Sequence, residues 1–230
     1  MLQAVQQKDV LIFDWDGTLM DSVPRIVSCM EKMAHEAGLG VPCEQAIRDI
    51  IGLSLPVALA TLFDCHDEVE QQALIAIYRR YYVHEDATPS PLFDGVIELL
   101  EHAKQAGYTL AVATGKAREG LERAWQETNT RHFFSASCCA YEAPSKPDPT
   151  MLQRILADLN LPPERAVMIG DSKFDLKMAR AANIERVGVT YGVHNADVLS
   201  AEAPVFLAPS VATLGNFLLS STPRSALSMV

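Results

Sequence analysis

No stretch of this 230-residue chain approaches the roughly 18 continuous apolar residues of a membrane-spanning helix. Met1 to Asp9 is polar and lacks the basic-then-apolar pattern of a secretory signal. Cysteine is sparse. The five residues Cys29, Cys43, Cys65, Cys138 and Cys139 contain no C-x-x-C pair, which speaks against a redox motif and for reduced thiols in a cytoplasm. The adjacent Cys138 and Cys139 are expected on a half-buried strand. Positive charge is also short: 19 Lys and Arg against 29 Asp and Glu give a net charge of −10, so the basic field of a nucleic-acid binder is missing. An anionic substrate stays open, because salt confines the global field to about 10 Å and local charges decide. Repeats and low-complexity runs are absent. What is present is a 49% hydrophobic chain, long enough for one large domain or one domain carrying an insertion.

The most informative segment is Phe13-Asp14-Trp15-Asp16-Gly17-Thr18-Leu19, which follows the apolar run Val10-Leu11-Ile12-Phe13. Two aspartates two residues apart, where a strand runs into a glycine turn, bring two like charges toward one pocket. Such a pair needs a cation or a shared proton nearby. The first carboxylate, Asp14, can attack phosphorus and form an aspartyl-phosphate. The second, Asp16, can protonate the leaving oxygen and later take a proton from water.

Along the chain, helices are expected over Ser22–Glu36, Glu44–Ile51, Pro56–Phe63 and Glu68–Glu85, with no strand among them, up to the linker Thr88-Pro89-Ser90-Pro91. Strands and helices then alternate: strands at Tyr108–Ala113, Phe133–Cys139, Ala166–Ile169, Arg186–Val189 and Val205–Leu207, with helices between and after them. That alternation predicts an α/β fold, a parallel sheet with helices on both faces. The helical block reads as an insertion: residues 1–19 and 89–230 form the core, and residues 20–88 a helical cap. The tail Ser220–Val230 is small and polar and is expected to be mobile.

Ligands of open α/β sheets gather at the carboxyl ends of the strands. Those ends hold Asp14 and Asp16, then Thr114-Gly115-Lys116, then Gly170-Asp171-Ser172 with Asp175 a turn later. Between them lies Ser145-Lys146-Pro147-Asp148-Pro149. Thr114 offers a hydroxyl, and the N–H groups after it are expected to open a helix, a favourable place for phosphate. Lys146 can neutralise phosphate oxygens. Asp171 can bind a metal, and Asp175 can bind it through water or orient Lys146. Mg²⁺ takes such carboxylates together with phosphate oxygens and waters.

These four ordered segments, Asp14-x-Asp16-Gly17-Thr18, Thr114-Gly115, Lys146-Pro147 and Gly170-Asp171-Ser172-x-x-Asp175, resemble the motifs of the haloacid dehalogenase superfamily of hydrolases. The helical block after the first motif, and Gly188-Val189-Thr190-Tyr191-Gly192, look like its phosphoglycolate phosphatase-like subfamily. The resemblance implies a Rossmann-like sheet with a helical-bundle cap. It implies Asp14 as nucleophile, Asp16 as acid/base, and Mg²⁺ on the Asp14 side chain, the Asp16 carbonyl and Asp171. Phosphate would then lie against Asp16, Gly17, Thr114, Gly115 and Lys146. Trp15 stands where Leu or Met is usual and is expected to face the sheet interior or a helix. The presence of Asp16 favours phosphoester chemistry over carbon–halogen or carbon–phosphorus cleavage.

The expected substrate is a small phosphorylated metabolite. A phosphomutase, a pyrophosphatase or a non-catalytic binder would use the same site, and monomer or dimer is left open. The cap is expected to read the substrate through Arg25, Lys32, Arg48, Arg79 or Arg80. Arg25, on the helix leaving the catalytic turn, is the first choice, with Arg48 next, and the loop Ile51-Gly52-Leu53-Ser54 can also reach the site.

Overall fold

The computed structural model describes residues 8–219; the tail expected to be mobile lies outside them. Six strands form one parallel sheet: β1 (Val10–Phe13), β2 (Thr109–Ala117), β3 (Phe134–Ala140), β4 (Ala166–Gly170), β5 (Glu185–Val189) and β6 (Phe206–Ala208). Their order is β3-β2-β1-β4-β5-β6. The chain therefore winds outward from β1 to one side, then returns to β4 on the other side of β1. The crevice between β1 and β4 is the point where the winding reverses, and ligands of such sheets bind there.

The sheet is buried on both faces, which is why its strands read as continuous apolar runs. Side chains alternate along β1. Leu11 and Phe13 pack with helices α5 (Val96–Gln105), α6 (Arg118–Thr128) and α10 (Val211–Leu219) on one face. Val10 and Ile12 pack with α7 (Thr150–Leu159) and α8 (Lys173–Ala181) on the other. A short helix, α9 (Ala196–Ser200), which the sequence reading did not separate, links β5 to β6. Cys138 and Cys139 are both fully buried rather than half-buried: although β3 is an edge strand, one thiol enters each of the two clusters. All five cysteines are free thiols. Among the described residues no helix is long and apolar enough to cross a membrane.

Between β1 and α5 the chain is helical: α1 (Val23–Glu36), α2 (Glu44–Arg48), α3 (Leu55–Phe63) and α4 (Glu68–Arg80), the last running into a π-helical turn at Tyr81–Glu85. These helices have a hydrophobic cluster of their own. Ile26, Met30 and Met33 of α1 meet Ala58 and Leu59 of α3 and Leu74, Ile75 and Tyr78 of α4. The two chain crossings into this insert lie side by side, with the Asp21 amide donating to the Pro91 carbonyl at 2.8 Å and the Phe93 amide to the Leu19 carbonyl at 3.0 Å.

Three element ends depart by more than one residue from the sequence reading, and each of these departures serves a contact. The second insert helix stops at Arg48 rather than Ile51, because the chain turns through Gly52 (φ +101°) to lay the Gly52 and Leu53 carbonyls against Gly115. The fourth loosens into the π turn, which carries Tyr82 to Lys116. The third concerns β2. It does not end at Ala113 but continues, with a register shift, to pair Ala117 with Ala140, and α6 opens only at Arg118.

Trp15, expected to face the sheet interior or a helix, is fully buried in the core. Its ring stands edge-on to Trp125 of α6 (centroids 6.5 Å apart) and to Phe134 of β3 (6.1 Å). Removing a ring of this size from a close-packed interior costs the transfer energy and leaves a cavity. Trp15→Ala should therefore lose about 3–5 kcal/mol of stability, read as a lowered urea midpoint. A loss under about 1 kcal/mol would show that the ring does not carry this packing.

Candidate active site

At the carboxyl end of β1 the Asp14 amide donates to the Ile169 carbonyl of β4 at 2.9 Å, so its side chain is delivered into the crevice between the two strands. The chain then turns at once. The Met20 amide returns to the Trp15 carbonyl at 3.0 Å, and Gly17 adopts φ +78°. Gly17 is needed twice over, since a Cβ there would also collide with the Asp171 carboxylate. Thr18 donates its hydroxyl to Asp171 Oδ1 at 2.9 Å, and the Val193 amide donates to Asp171 Oδ2 at 2.8 Å. Gly192 leaves no room for a side chain either, being pressed against Asp171 and the Gly17 carbonyl.

Lys146 enters from the segment before α7, where the Lys146–Pro147 peptide bond is cis. Its Nζ lies 2.6 Å from Asp14 Oδ1 and 2.6 Å from Asp175 Oδ1, with all three side chains buried. Asp175 is fixed from behind. Its Oδ2 accepts from the Ser172 hydroxyl at 2.6 Å and the Ser172 amide at 3.1 Å, in a capping box that starts α8. A Cβ at Gly170 would strike this carboxylate, so the glycine lets the cap fold under the strand end. Of the two roles open to Asp175, the structure shows the one toward Lys146.

The electrostatics follow from burial. Asp14, Asp171 and Asp175 can each offer an oxygen within 4.8 Å of the others, and among them sits a single ammonium. Burial pushes the Asp14 carboxyl well above the ordinary carboxylate range, against the pull of Lys146. Burial, then the neighbouring Asp175, pushes Asp171 up to about 7, with the Val193 amide and Thr18 hydroxyl opposing. Burial also works against the charge on Lys146, but the two carboxylates outweigh it and its proton is held more tightly than usual. The cluster is one or two positive charges short. Asp14 Oδ2 is buried with no hydrogen-bond partner. An all-oxygen donor set with an orphaned carboxylate oxygen fits a hard divalent cation.

Asp16 faces the other way, toward the helical insert. Its Oδ1 accepts from the Ser22 hydroxyl at 2.5 Å and lies 2.9 Å from Lys116 Nζ. Lys116 in turn donates to the Tyr82 hydroxyl at 3.2 Å and stands 4.8 Å from the centre of that ring. Asp14 and Asp16 thus lie side by side on the wall of one cavity of about 180 Å³ between sheet and insert.

Thr114 is buried beside this cavity, and its Oγ1 accepts from the Lys116 amide at 3.1 Å. The expected helix N-terminus at Thr114–Gly115 is not found, because β2 runs on through these residues; their amides belong to an irregular strand extension. Gly115 instead admits the insert: a Cβ there would lie 2.7 Å from the carbonyls of both Gly52 and Leu53. The Ser54 amide closes the contact by donating to Ser145 Oγ at 2.9 Å, next to Lys146.

Four of the expected specificity residues lie elsewhere. Arg25 does not reach over the site. Its guanidinium donates to the Asp86 carbonyl at 3.0 Å and to Ser90 Oγ at 3.4 Å, drawn toward the chain crossing. Arg48 pairs with Glu44 at 2.8 Å on the exposed side of α2. Lys32 pairs with Asp86, and Arg80 with Glu36 and Glu85. Arg79 does border the cavity, as does the loop at Ile51–Leu53. Ser22, Tyr82, Lys116 and Val193 were not singled out as site residues by the sequence reading. Lys116 was within reach of it, being the next residue after Thr114-Gly115, and Val193 directly follows the Gly188–Gly192 segment; nothing local marks Tyr82.

The match to known proteins agrees with this geometry. Residues 11–189 match the model of the haloacid dehalogenase-like hydrolase family. A phosphoglycolate phosphatase of Vibrio vulnificus is 30% identical over 225 residues, covering 94% of this chain and 98% of its own. A Dickeya dadantii protein described as a probable phosphatase, IndB, is 33% identical over 203 residues, covering 86% of this chain and 87% of its own. Among solved structures, a haloacid dehalogenase-like family hydrolase of Streptococcus pneumoniae is 28% identical and superposes with a TM-score of 0.78, over 92% of this chain and 99% of that one. Motifs, strand order and relatives converge: the chain belongs to the haloacid dehalogenase-like hydrolase family.

Proposed function

We propose that this protein is a Mg²⁺-dependent phosphatase that hydrolyses a phosphomonoester through a phosphoryl group carried on Asp14. The observation that carries the reading is the bare Oδ2 of Asp14, buried beside Lys146 and Asp171 with Asp16 next to it on the cavity wall. Lys146 holds Asp14 through Oδ1 and leaves Oδ2 free to attack phosphorus. Its ammonium offsets part of the charge of an arriving phosphate. Asp16, held by Ser22 and Lys116, protonates the departing alkoxide and then takes a proton from the water that hydrolyses the Asp14 ester. Asp14 and Asp171 would hold the Mg²⁺, with the Asp16 carbonyl as the further protein ligand that family resemblance suggests. When bound, the ion neutralises phosphate charge and fixes the in-line geometry. Gly115 lines the same pocket, and the Thr114–Gly115 segment would take the remaining phosphate oxygens.

The helical insert, residues 20–88, acts in this reading as a cap. The paired crossings at Asp21 and Pro91 give it a hinge, and its contacts at Gly115, Ser145 and Lys116 describe the closed position. Closure excludes water while the leaving group departs. The relatives named as phosphoglycolate phosphatases support a small phosphorylated metabolite as the class of substrate.

Asp14→Asn should lower turnover by at least about a thousandfold, and acid-quenched single-turnover reactions should lose the protein-bound phosphate seen with the wild type. Substantial activity in this variant would overturn the assignment. Asp16→Asn should slow phosphorylation by an alkyl phosphate by about a hundredfold and by p-nitrophenyl phosphate far less, because the nitrophenolate leaves without a proton. Equal losses would make Asp16 structural.

Chelator should abolish activity and Mg²⁺ restore it. Because burial raises both Asp14 and Asp171, each holds its proton up to a higher pH than an ordinary carboxyl, Asp171 up to about 7. A metal ligand must shed that proton. The rise in melting temperature on adding Mg²⁺ should therefore be larger at pH 8 than at pH 5.5. An equal or larger rise at pH 5.5 would place the metal elsewhere.

A further inference from the structure

The cavity that begins at Asp14 and Asp16 does not end among charges. On the insert side its walls are Ile26 and Met30 of α1, Ile50, Leu55 and Ala58 of the α2–α3 region, and Tyr78 of α4. Of these, Ile26, Met30, Ile50, Ala58 and Tyr78 belong to the buried hydrophobic cluster of the insert itself, and Leu55 packs against it. The cavity thus runs from two catalytic carboxylates into the apolar interior of the cap. The basic groups that border it are placed differently. Lys116 is already paired with Asp16 at 2.9 Å, Arg123 lies 5.8 Å over the Tyr82 ring, and Arg79 is exposed. None of these three lies on α1 or in the α2–α3 region, which supply five of the six apolar wall residues.

A leaving group is the only part of a phosphomonoester that can occupy this space, since phosphorus must lie at Asp14. A leaving group as short and charged as glycolate would bring its carboxylate up to an aliphatic wall, where a charge without a partner is disfavoured. An apolar one would bury its surface there and strengthen binding roughly in proportion to that surface. The volume, about 180 Å³, sets an upper bound on size, because the phosphate takes up the end at Asp14 and Asp16. An aliphatic-lined cavity of roughly 150 Å³ accepts one benzene ring. Met30 adds a flexible, polarizable wall that adapts to the shape of its occupant.

We infer that the substrate of this enzyme is a phosphomonoester with an apolar leaving group of up to about six carbons, aromatic or aliphatic, housed against Ile26, Met30, Ile50, Leu55, Ala58 and Tyr78, rather than a short carboxylate such as glycolate. The inference rests on the phosphatase reading above and adds the class of leaving group.

A homologous series separates burial from chemistry. Ethyl, butyl and hexyl phosphate have leaving groups of nearly equal basicity, so any gradient among them reports contact with the cavity. With saturating Mg²⁺, kcat/KM should rise by roughly threefold to fourfold per methylene, the factor expected for burying one such group. Hexyl phosphate should then exceed ethyl phosphate by about a hundredfold and exceed phosphoglycolate as well. Ala58→Leu, which fills part of the space, should cut the hexyl-to-ethyl ratio at least tenfold. The wild-type series decides the matter even if this variant folds poorly. A flat or falling series, phosphoglycolate as the best substrate, or an unchanged ratio in a folded Ala58→Leu would overturn the inference and leave the phosphatase reading intact. Failure to hydrolyse any of these esters, p-nitrophenyl phosphate included, would overturn both.

Discussion

The ammonium of Lys146, buried between Asp14 and Asp175, is the contact on which the rest of the arrangement depends. Three carboxylates converge on the crevice between β1 and β4, and among the described residues Lys146 is the one cation that pairs with any of them. Breaking a buried pair of this kind by deleting one partner commonly costs about 3–5 kcal/mol, because the other charge is left without compensation. The geometry around it is correspondingly tight. Gly17, Gly170 and Gly192 each stand where a single methyl group would strike Asp171 or Asp175. Four segments far apart in sequence are thereby compressed around one charge cluster.

That compression leaves one oxygen, Asp14 Oδ2, without a partner, and leaves the cluster short of positive charge. Ordinarily such a group would be a defect. Here it sits at the reversal point of the sheet, on the wall of a cavity, where a buried acidic triad could hold a metal ion. The neighbouring Asp16 is kept out of the cluster by Ser22 and Lys116, so two carboxylates two residues apart meet different environments. This division allows one to act as nucleophile and the other to handle protons.

The helical insert is joined to this chemistry at a few points of different character. The Gly52 and Leu53 carbonyls rest on Gly115, Ser54 bonds Ser145 beside Lys146, and Tyr82 reaches Lys116, which holds Asp16. The insert therefore touches the surroundings of both Asp14 and Asp16. The π turn at Tyr81–Glu85 is part of that linkage, since a regular helix would have aimed Tyr82 in a different direction.

The parallel sheet covered on both faces, the run of helices after β1 and the four groups of strand-end residues were legible in the sequence, because each rests on local signals; the strand order was not. Apolar runs mark strands covered on both faces, glycine after aspartate marks a strand end, and chain order of the motifs fixes which ends carry charge. The same local reading misplaced the start of α6, since only pairing of Ala117 with Ala140 reveals that β2 continues. It also put Arg25 over the site, because proximity in sequence says nothing of the Asp86 carbonyl sixty residues on that captures it. The sequence by itself determined the family, the fold and which carboxylates stand at the ends of β1 and β4. Only the tertiary structure decided how those carboxylates divide between Lys146 and Lys116, and that the space beside them is apolar. Both depend on distances between segments that share no local signal, and charge pairing and burial are set by those distances alone.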